Sequence, residues 1–487
     1  MPFLKVFFLM GIFLTSAYAL ENKNPKVVVI GGGIAGLTTA YRLEQHGADV
    51  HLYEARGRVG GRILTITING NIAELGGQNF SDGGQAENLH RLIEEFDLEL
   101  TKTRVGLKHT YYFTGEEFVS VQQLLSRRQF HPEHLRAELI DLMQRSGNMQ
   151  QVLNGIFEEE DLLYKVLAVR LAAYEGAPIE KLSPCYSETL YHMLLGGISS
   201  AHQVNAVEEE TYVELLSVKG GNALLPEKMA ERLKDRVHLN QILTKVSKDI
   251  DGSFLLTFQG GQKIKADILV LAIPCSVYDQ IKFEEEVIFS ERLESIKNVQ
   301  YGTNAKILVP FPKLPLDRLG LLNDRAVCFF NHENSVLTVY YTGSVSWFSA
   351  DTIMQTYNQE RRMLEMGFGE ECPLFTPPAF AKDQHFGNYE GVVGYSWPND
   401  PYAKGSYSYI GPGQEALLTA VKEEQGEIVR TLFAPIDHKL YFAGEHASTS
   451  MDVPGTMEAA CESGERAARM ILNDLFKFRE ELHQRRA

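Results

Sequence analysis

A run of four apolar residues at 27–30 breaks into Gly31-Gly32-Gly33-Ile34-Ala35-Gly36, and a helix-like segment follows as far as Gly47. A second apolar strand at 50–53 ends on Glu54. Strand, glycine turn, helix and strand in this order form the unit that holds the adenosine half of a dinucleotide. Gly31 allows the tight turn, Gly33 lets the backbone approach a pyrophosphate, and Gly36 lets helix and strand pack together. The helix start offers unpaired N–H groups to phosphates. Glu54, about twenty residues on, stands where a carboxylate accepts hydrogen bonds from a ribose. The next stretch, Ala55-Arg56-Gly57-Arg58-Val59-Gly60-Gly61-Arg62, adds a second glycine pair and three arginines. Planar guanidinium forks suit pyrophosphate.

The pattern then changes several times. Residues 63–68 alternate as a strand, turn at Asn69-Gly70-Asn71, and return through a further glycine pair, Gly76-Gly77. Residues 81–215 read as mostly helical, with short strand-like pieces at 110–113 and 118–121. The acidic run Glu208-Glu209-Glu210 reads as a solvated helix start, with attraction of a polyamine as the rival reading. Strands are expected at 237–239, 242–246 and 254–258, the last bracketed by Asp251-Gly252 and Gly260-Gly261. Residues 266–274 are almost continuously apolar, as in strands covered on both faces of a parallel sheet, so the first sheet resumes there. A second excursion, 283–399, holds a strand around Lys306, paired β segments at 326–330 and 335–342, and a helix at 352–366. The chain closes on a strand ending Gly444-Glu445, a helix at 456–475 and a polar tail, 477–487, expected to fray.

Length and charge narrow the possibilities. A chain of 487 residues calls for two or three domains. A net charge of −16 argues against nucleic acid and anionic membranes as partners. Residues 1–20 carry one charge, Lys5, then an apolar run and Ala17-Tyr18-Ala19. This is the pattern of a secretory signal peptide cleaved near Ala19, which implies a periplasmic or secreted protein with no membrane span after cleavage. The five cysteines lack CxxC spacing. They imply no zinc or other metal and read chiefly as buried thiols, with one disulfide left open.

The two ends, GGGIAG…EARGRVGGR and YFAGEH…PGTMEAACESGERAA, resemble the flavin-containing amine oxidase superfamily, which includes monoamine, polyamine and L-amino-acid oxidases. The resemblance covers nearly the whole mature chain. It implies that Gly31, Gly33, Ala35, Gly36 and Glu54 hold the AMP half of FAD, with Arg56 and Arg62 at ribose and pyrophosphate. It places Gly77 and Gln78 behind the flavin, Leu243 at the adenine, Gly444 and Glu445 near the ribityl chain, and Thr456 and Met457 near flavin N1 and O2. A helix start at that last point suits the negative charge a reduced flavin carries there. Lys306 interrupts an apolar strand and resembles the family lysine that holds a water near flavin N5 and assists reaction with oxygen. Tyr407 matches one wall of an aromatic cage. The second wall falls on Thr456, which is not aromatic, and Trp397 is the alternative lining residue. Ser406 stands where monoamine oxidases carry the cysteine bonded to flavin, so the resemblance implies non-covalent FAD.

The expected fold is α/β. A doubly wound FAD domain is assembled from 25–80, 216–282 and 400–476, and an α+β substrate domain with a mixed sheet and helices from 81–215 and 283–399. The expected chemistry is oxidation of primary or secondary amines, with hydride passing to flavin N5, the imine hydrolysed, and oxygen leaving as hydrogen peroxide. The partners are then a small amine and oxygen, with a homodimer left open. An L-amino-acid oxidase, a desaturase of an apolar substrate, and a secreted FAD-binding protein without turnover remain as alternatives. An amino-acid oxidase needs an arginine for the carboxylate, and Arg104, Arg127, Arg128, Arg136 and Arg170 lie in the substrate regions.

Overall fold

Alternate residues of the first strand, Lys26–Ile30, feed two different cores. Val27 and Val29 pack with Leu37, Ala467 and Ile471, whereas Val28 and Ile30 pack with Phe254, Phe258 and Leu271. This two-sided burial is why the strand reads as unbroken apolar sequence. The computed structural model describes residues 25–79, 86–105, 110–195, 213–311, 320–331, 335–368, 378–450 and 455–484. The expected signal peptide, Glu208 to Glu210 and Cys372 lie outside the described residues.

The first strand is central in a five-stranded parallel sheet of order Leu440–Phe442, Ile268–Leu271, Lys26–Ile30, Asp49–Tyr53 and Val237–His238. Three distant stretches therefore build one sheet, and the apolar strand at 268–271 does rejoin it. One face carries the helix Ile34–Gln45 and the C-terminal helix Met457–Gln484. These two cross so closely that a Cβ on Gly464 would lie 2.5 Å from the Ala35 carbonyl oxygen. The other face carries an antiparallel sheet that contains Leu243–Lys248, Phe254–Phe258 and Lys263–Ala266.

The second part is a mixed eight-stranded sheet with helices against it. Third in its order is the buried strand Ala305–Pro310, paired to Val336–Tyr341 on one side and Val393–Ser396 on the other. Among the helices, Leu162–Glu175 starts where the Asp161 carboxylate accepts from the Leu163 N–H and stops at Gly176, whose φ is 88°.

Three expectations change. The single helix at 352–366 is two, Ile353–Asn358 and Arg361–Phe368. The break comes where fully buried Glu360 turns inward to accept from Asn323 Nδ2 at 2.6 Å and Arg325 Nε at 3.2 Å. The strands Leu100–Val105 and Val213–Val218 pair antiparallel inside the region read as helical. Their partners lie far apart in sequence, so no hairpin turn announces them. The last helix runs on to Gln484 through a tail expected to fray, since Lys, Arg, Glu, Leu and Gln are all good helix formers. Among the described residues no helix is long and apolar enough to cross a membrane.

Candidate active site

The glycine turn is shaped from within. Gly31 has φ 109°, and a Cβ there would lie 2.4 Å from the Ala272 carbonyl oxygen. A Cβ on Gly36 would come within 2.1 Å of the Gly31 oxygen. Gly33 differs, because nothing lies within 4 Å of the place its Cβ would take. Gly33 also begins the helix Ile34–Gln45 without a side-chain cap and with no acidic residue in the first turn. Open space beside uncapped N–H groups is what an anionic ligand needs. The loop after Glu54 closes over this turn, with Gly60 N–H donating to the Gly32 oxygen at 2.7 Å. Glu54 is buried and accepts from the N–H groups of Gly32 at 2.5 Å and Arg56 at 2.8 Å. Burial still pushes its carboxyl above the usual range.

The turn opens into a cavity of about 820 Å³. Gly31, Gly33, Ala35, Glu54, Arg56 and Arg62 line it from the first stretch, with Gly77 and Gln78 beside them. Leu243, Gly444, Glu445, Thr456 and Met457 line it from the later stretches, and Lys306, Trp397 and Tyr407 from the substrate part. Gly36 does not reach the cavity and serves packing alone.

The three arginines of the loop are engaged within the protein. Arg56 pairs with Asp400 at 2.6 Å and Asp383 at 2.5 Å, and Arg58 pairs with Asp383 at 2.6 Å. Arg62 donates to Glu445 at 2.9 Å and to the Ser406 carbonyl at 2.5 Å. Burial favours the neutral form of Glu445, but Arg62 and the Ser408 hydroxyl at 2.6 Å hold its carboxyl below the usual range. Beside it, burial pushes the His446 imidazole down to about 4. Its Nδ1 meets the Tyr301 hydroxyl at 3.0 Å, and its buried Nε2 has no partner among the described residues.

Lys306 is 5% exposed. Its ammonium donates to the carbonyls of Gly76 at 2.7 Å and Glu74 at 3.1 Å, and to Gln78 Oε1 at 3.1 Å. Strand alternation would send such a lysine to solvent, but this strand is covered on both faces, so the charge ends at the cavity wall. Trp397 is buried and donates from Nε1 to the Leu75 carbonyl at 3.0 Å. The Tyr407 hydroxyl donates to the carbonyls of Tyr174 at 2.7 Å and Ala173 at 3.1 Å, which ties its ring to the end of the helix Leu162–Glu175. The Ser406 hydroxyl donates to Asn304 Oδ1 at 2.5 Å. The C-terminal helix begins at Met457, one residue later than expected, because the Thr456 hydroxyl caps the Ala459 N–H at 3.2 Å.

Glu175 was not among the expected site residues. It lines the cavity, accepts from the Thr189 hydroxyl at 2.7 Å, and is pushed up to about 7 by burial. A signal existed, since it is the one acid in a helix that is mostly apolar. A carboxyl raised on folding stabilises the fold below its unfolded pKa and loses that contribution as pH rises toward about 7. Glu175→Gln should therefore match the parent in thermal unfolding at pH 5 and exceed it by about 1–3 °C at pH 8. Equal midpoints at both pH values would rule this out.

The fold and cavity define a dinucleotide-dependent oxidoreductase. The chain belongs to the flavin-containing amine oxidoreductase family, whose model matches residues 34–472. Its cofactor is accordingly FAD. It is 25% identical to the flavin-containing amine oxidase A of Equus caballus, over 93% of this chain and 86% of that protein. It is 23% identical to an L-amino-acid oxidase of Bothrops moojeni, over 92% of this chain and 90% of that protein. Among solved structures it is similar to the cyclohexylamine oxidase from Brevibacterium oxydans IH-35A, with TM-score 0.70 and 19% identity over 93% of this chain and 100% of that one. Wild-type putrescine oxidase bound to putrescine gives TM-score 0.69 at 19% identity, over 92% and 99% of the two chains.

Proposed function

We propose that the protein is an amine oxidase that holds FAD without a covalent bond and uses dioxygen as electron acceptor. The observation that supports this most is that one cavity carries both the glycine cradle and the buried Lys306. The residues suit FAD: Gly33 leaves space for phosphate, and the unpartnered His446 Nε2 lies in the cavity wall. When bound, FAD would take the hydride from the carbon beside the amine nitrogen and hand its two electrons to dioxygen, which becomes hydrogen peroxide with that hydrogen and the proton the nitrogen releases. Nitrogen's lone pair closes the C=N bond, and water then splits the imine into a carbonyl compound and ammonia or an amine.

The chain's own groups bind, orient and screen. The uncapped start of the helix Ile34–Gln45 meets phosphate charge. The Thr456-capped start of the last helix turns its positive end toward the cavity. Tyr407 offers an aromatic face, held by two backbone bonds, against which an amine can settle. Lys306 supplies a fixed positive charge for the negative charge that dioxygen acquires as it is reduced.

Anaerobic mixing of the purified yellow protein with monoamines, diamines, polyamines and amino acids should bleach the flavin with at least one class. Air should then restore the colour with release of peroxide, and acid precipitation should leave the yellow in solution. No bleaching by any of them would sink the oxidase reading. Colour in the pellet would sink non-covalent binding.

A further inference from the structure

The substrate side of the cavity contains a charge that the protein does not balance. Arg170 lies on the helix Leu162–Glu175 and lines the cavity, three residues before Ala173, whose carbonyl holds the Tyr407 hydroxyl. Among the described residues its buried Nη1 has no hydrogen-bond partner and no carboxylate pairs with it. The other candidate arginines are placed elsewhere. Arg128 pairs with Asp161, Arg136 pairs with Glu188 and lies over the Tyr191 ring, and Arg127 is exposed. Arg104 sits in the strand paired to Val213–Val218.

An isolated charge removed from water is costly, and proteins rarely keep one without a partner. Burial pulls Arg170 down to about 10, which still leaves it cationic at neutral pH. The carboxylates nearby do not offset it. Glu188 is engaged by Arg136 and His192, and Glu175, which accepts from the Thr189 hydroxyl, is pushed up to about 7 by burial and so carries only part of a charge at neutral pH. The partner that completes this wall is therefore an anion brought by the ligand. A flat carboxylate matches the guanidinium fork with two parallel bonds.

We propose that Arg170 anchors a carboxylate on the substrate, so that the amine oxidised here is an amino acid rather than a simple amine or a polyamine. The inference rests on the amine-oxidase reading of the same cavity and adds the substrate class to it. A polycation is disfavoured, since it would have to lie against an unbalanced guanidinium. Tyr407, Phe329, Tyr340, Leu322 and Met193 line the same cavity with aromatic or apolar surface that suits the uncharged remainder of such a molecule.

Two measurements on the holoprotein test this. The first is binding without turnover: benzoate and 3-phenylpropanoate should perturb the flavin spectrum and raise the melting temperature, and 3-phenylpropylamine should do so far less. Arg170→Met should weaken carboxylate binding about a hundred-fold, and Arg170→Lys should recover part of it. The second is anaerobic flavin reduction by matched pairs, each common amino acid against the amine it becomes on loss of its carboxylate. The parent should favour an amino acid, and in Arg170→Met the ratio of the two rates should fall by about a hundred-fold, mainly through KM. Reduction by the amines alone, or an equal loss on both members of a pair, would overturn the proposal. If neither member of any pair reduces the flavin, the oxidase reading fails, while carboxylate binding that depends on Arg170 would still support the anchor.

Discussion

A Lys306→Met protein is expected to bind FAD and accept electrons from substrate, yet to return to the oxidised state in air about a hundred-fold more slowly than the parent. The effect is electrostatic. Dioxygen is neutral and gains negative charge as it is reduced, so a nearby cation helps the product side of that step more than the reactant side. Lys306 is fixed before the reaction by the Gly76 and Glu74 carbonyls and by Gln78 Oε1, so little reorganisation is needed. Methionine keeps the length of the side chain and removes the charge. It also leaves those carbonyls short of a donor, which should cost about 1–3 kcal/mol of stability. Stopped-flow reoxidation measured beside a melting curve separates the two effects. Reoxidation at the parental rate in a folded, FAD-loaded variant would remove Lys306 from the oxygen step.

The next largest effects come from two glycines three residues apart that should fail in opposite ways. Gly33→Ala should leave the apoprotein as stable as the parent, because its φ of −72° suits alanine and no protein atom lies within 4 Å of the new methyl. The methyl instead enters the space reserved for phosphate. FAD affinity should fall about a hundred-fold, or about 2.8 kcal/mol. Gly36→Ala places its methyl 2.1 Å from the Gly31 oxygen, where only a backbone shift can relieve the clash. The fold itself should weaken by about 1–3 kcal/mol, and the turn should no longer take up the cofactor well. Titration of FAD into the apoproteins and thermal unfolding of the same samples make the comparison. Equal destabilisation in both variants would mean that Gly33 is a packing glycine too.

The contrast between these glycines explains how much of the site could be read from the chain. Gly31, Gly33, Gly36 and Glu54 are legible because a tight turn, an open approach, a close packing contact and a buried carboxylate need fixed residue types at fixed spacing. The apolar run at 268–271 is legible because burial on both faces removes every polar position. Arg56 is different. Its residue type suggests phosphate, but its fork is closed by Asp383 and Asp400, more than three hundred residues away, and no local pattern announces them. The same holds for Glu360, which breaks a helix by bonding to Asn323 and Arg325 on a neighbouring strand connection. Arg170 stood as one of five arginines with nothing to separate them. The helix that carries it sends Lys165 toward solvent and Arg170 into the cavity, a difference that residue type alone does not announce.

The layout of the cofactor sheet has a consequence for synthesis. The glycine turn is complete once residue 36 has emerged, but Ile268–Leu271, Leu440–Phe442 and Gly464 come much later. At roughly 5–20 residues per second, the nascent chain carries the first strand without its final neighbours for some tens of seconds. Through that interval Val27 and Val29 have the helix Ile34–Gln45 but not the C-terminal helix that completes their cover, and the edge that Ile268–Leu271 will take offers free N–H and C=O groups. The cavity that takes the cofactor is therefore complete only after Glu445 and Met457 have been made.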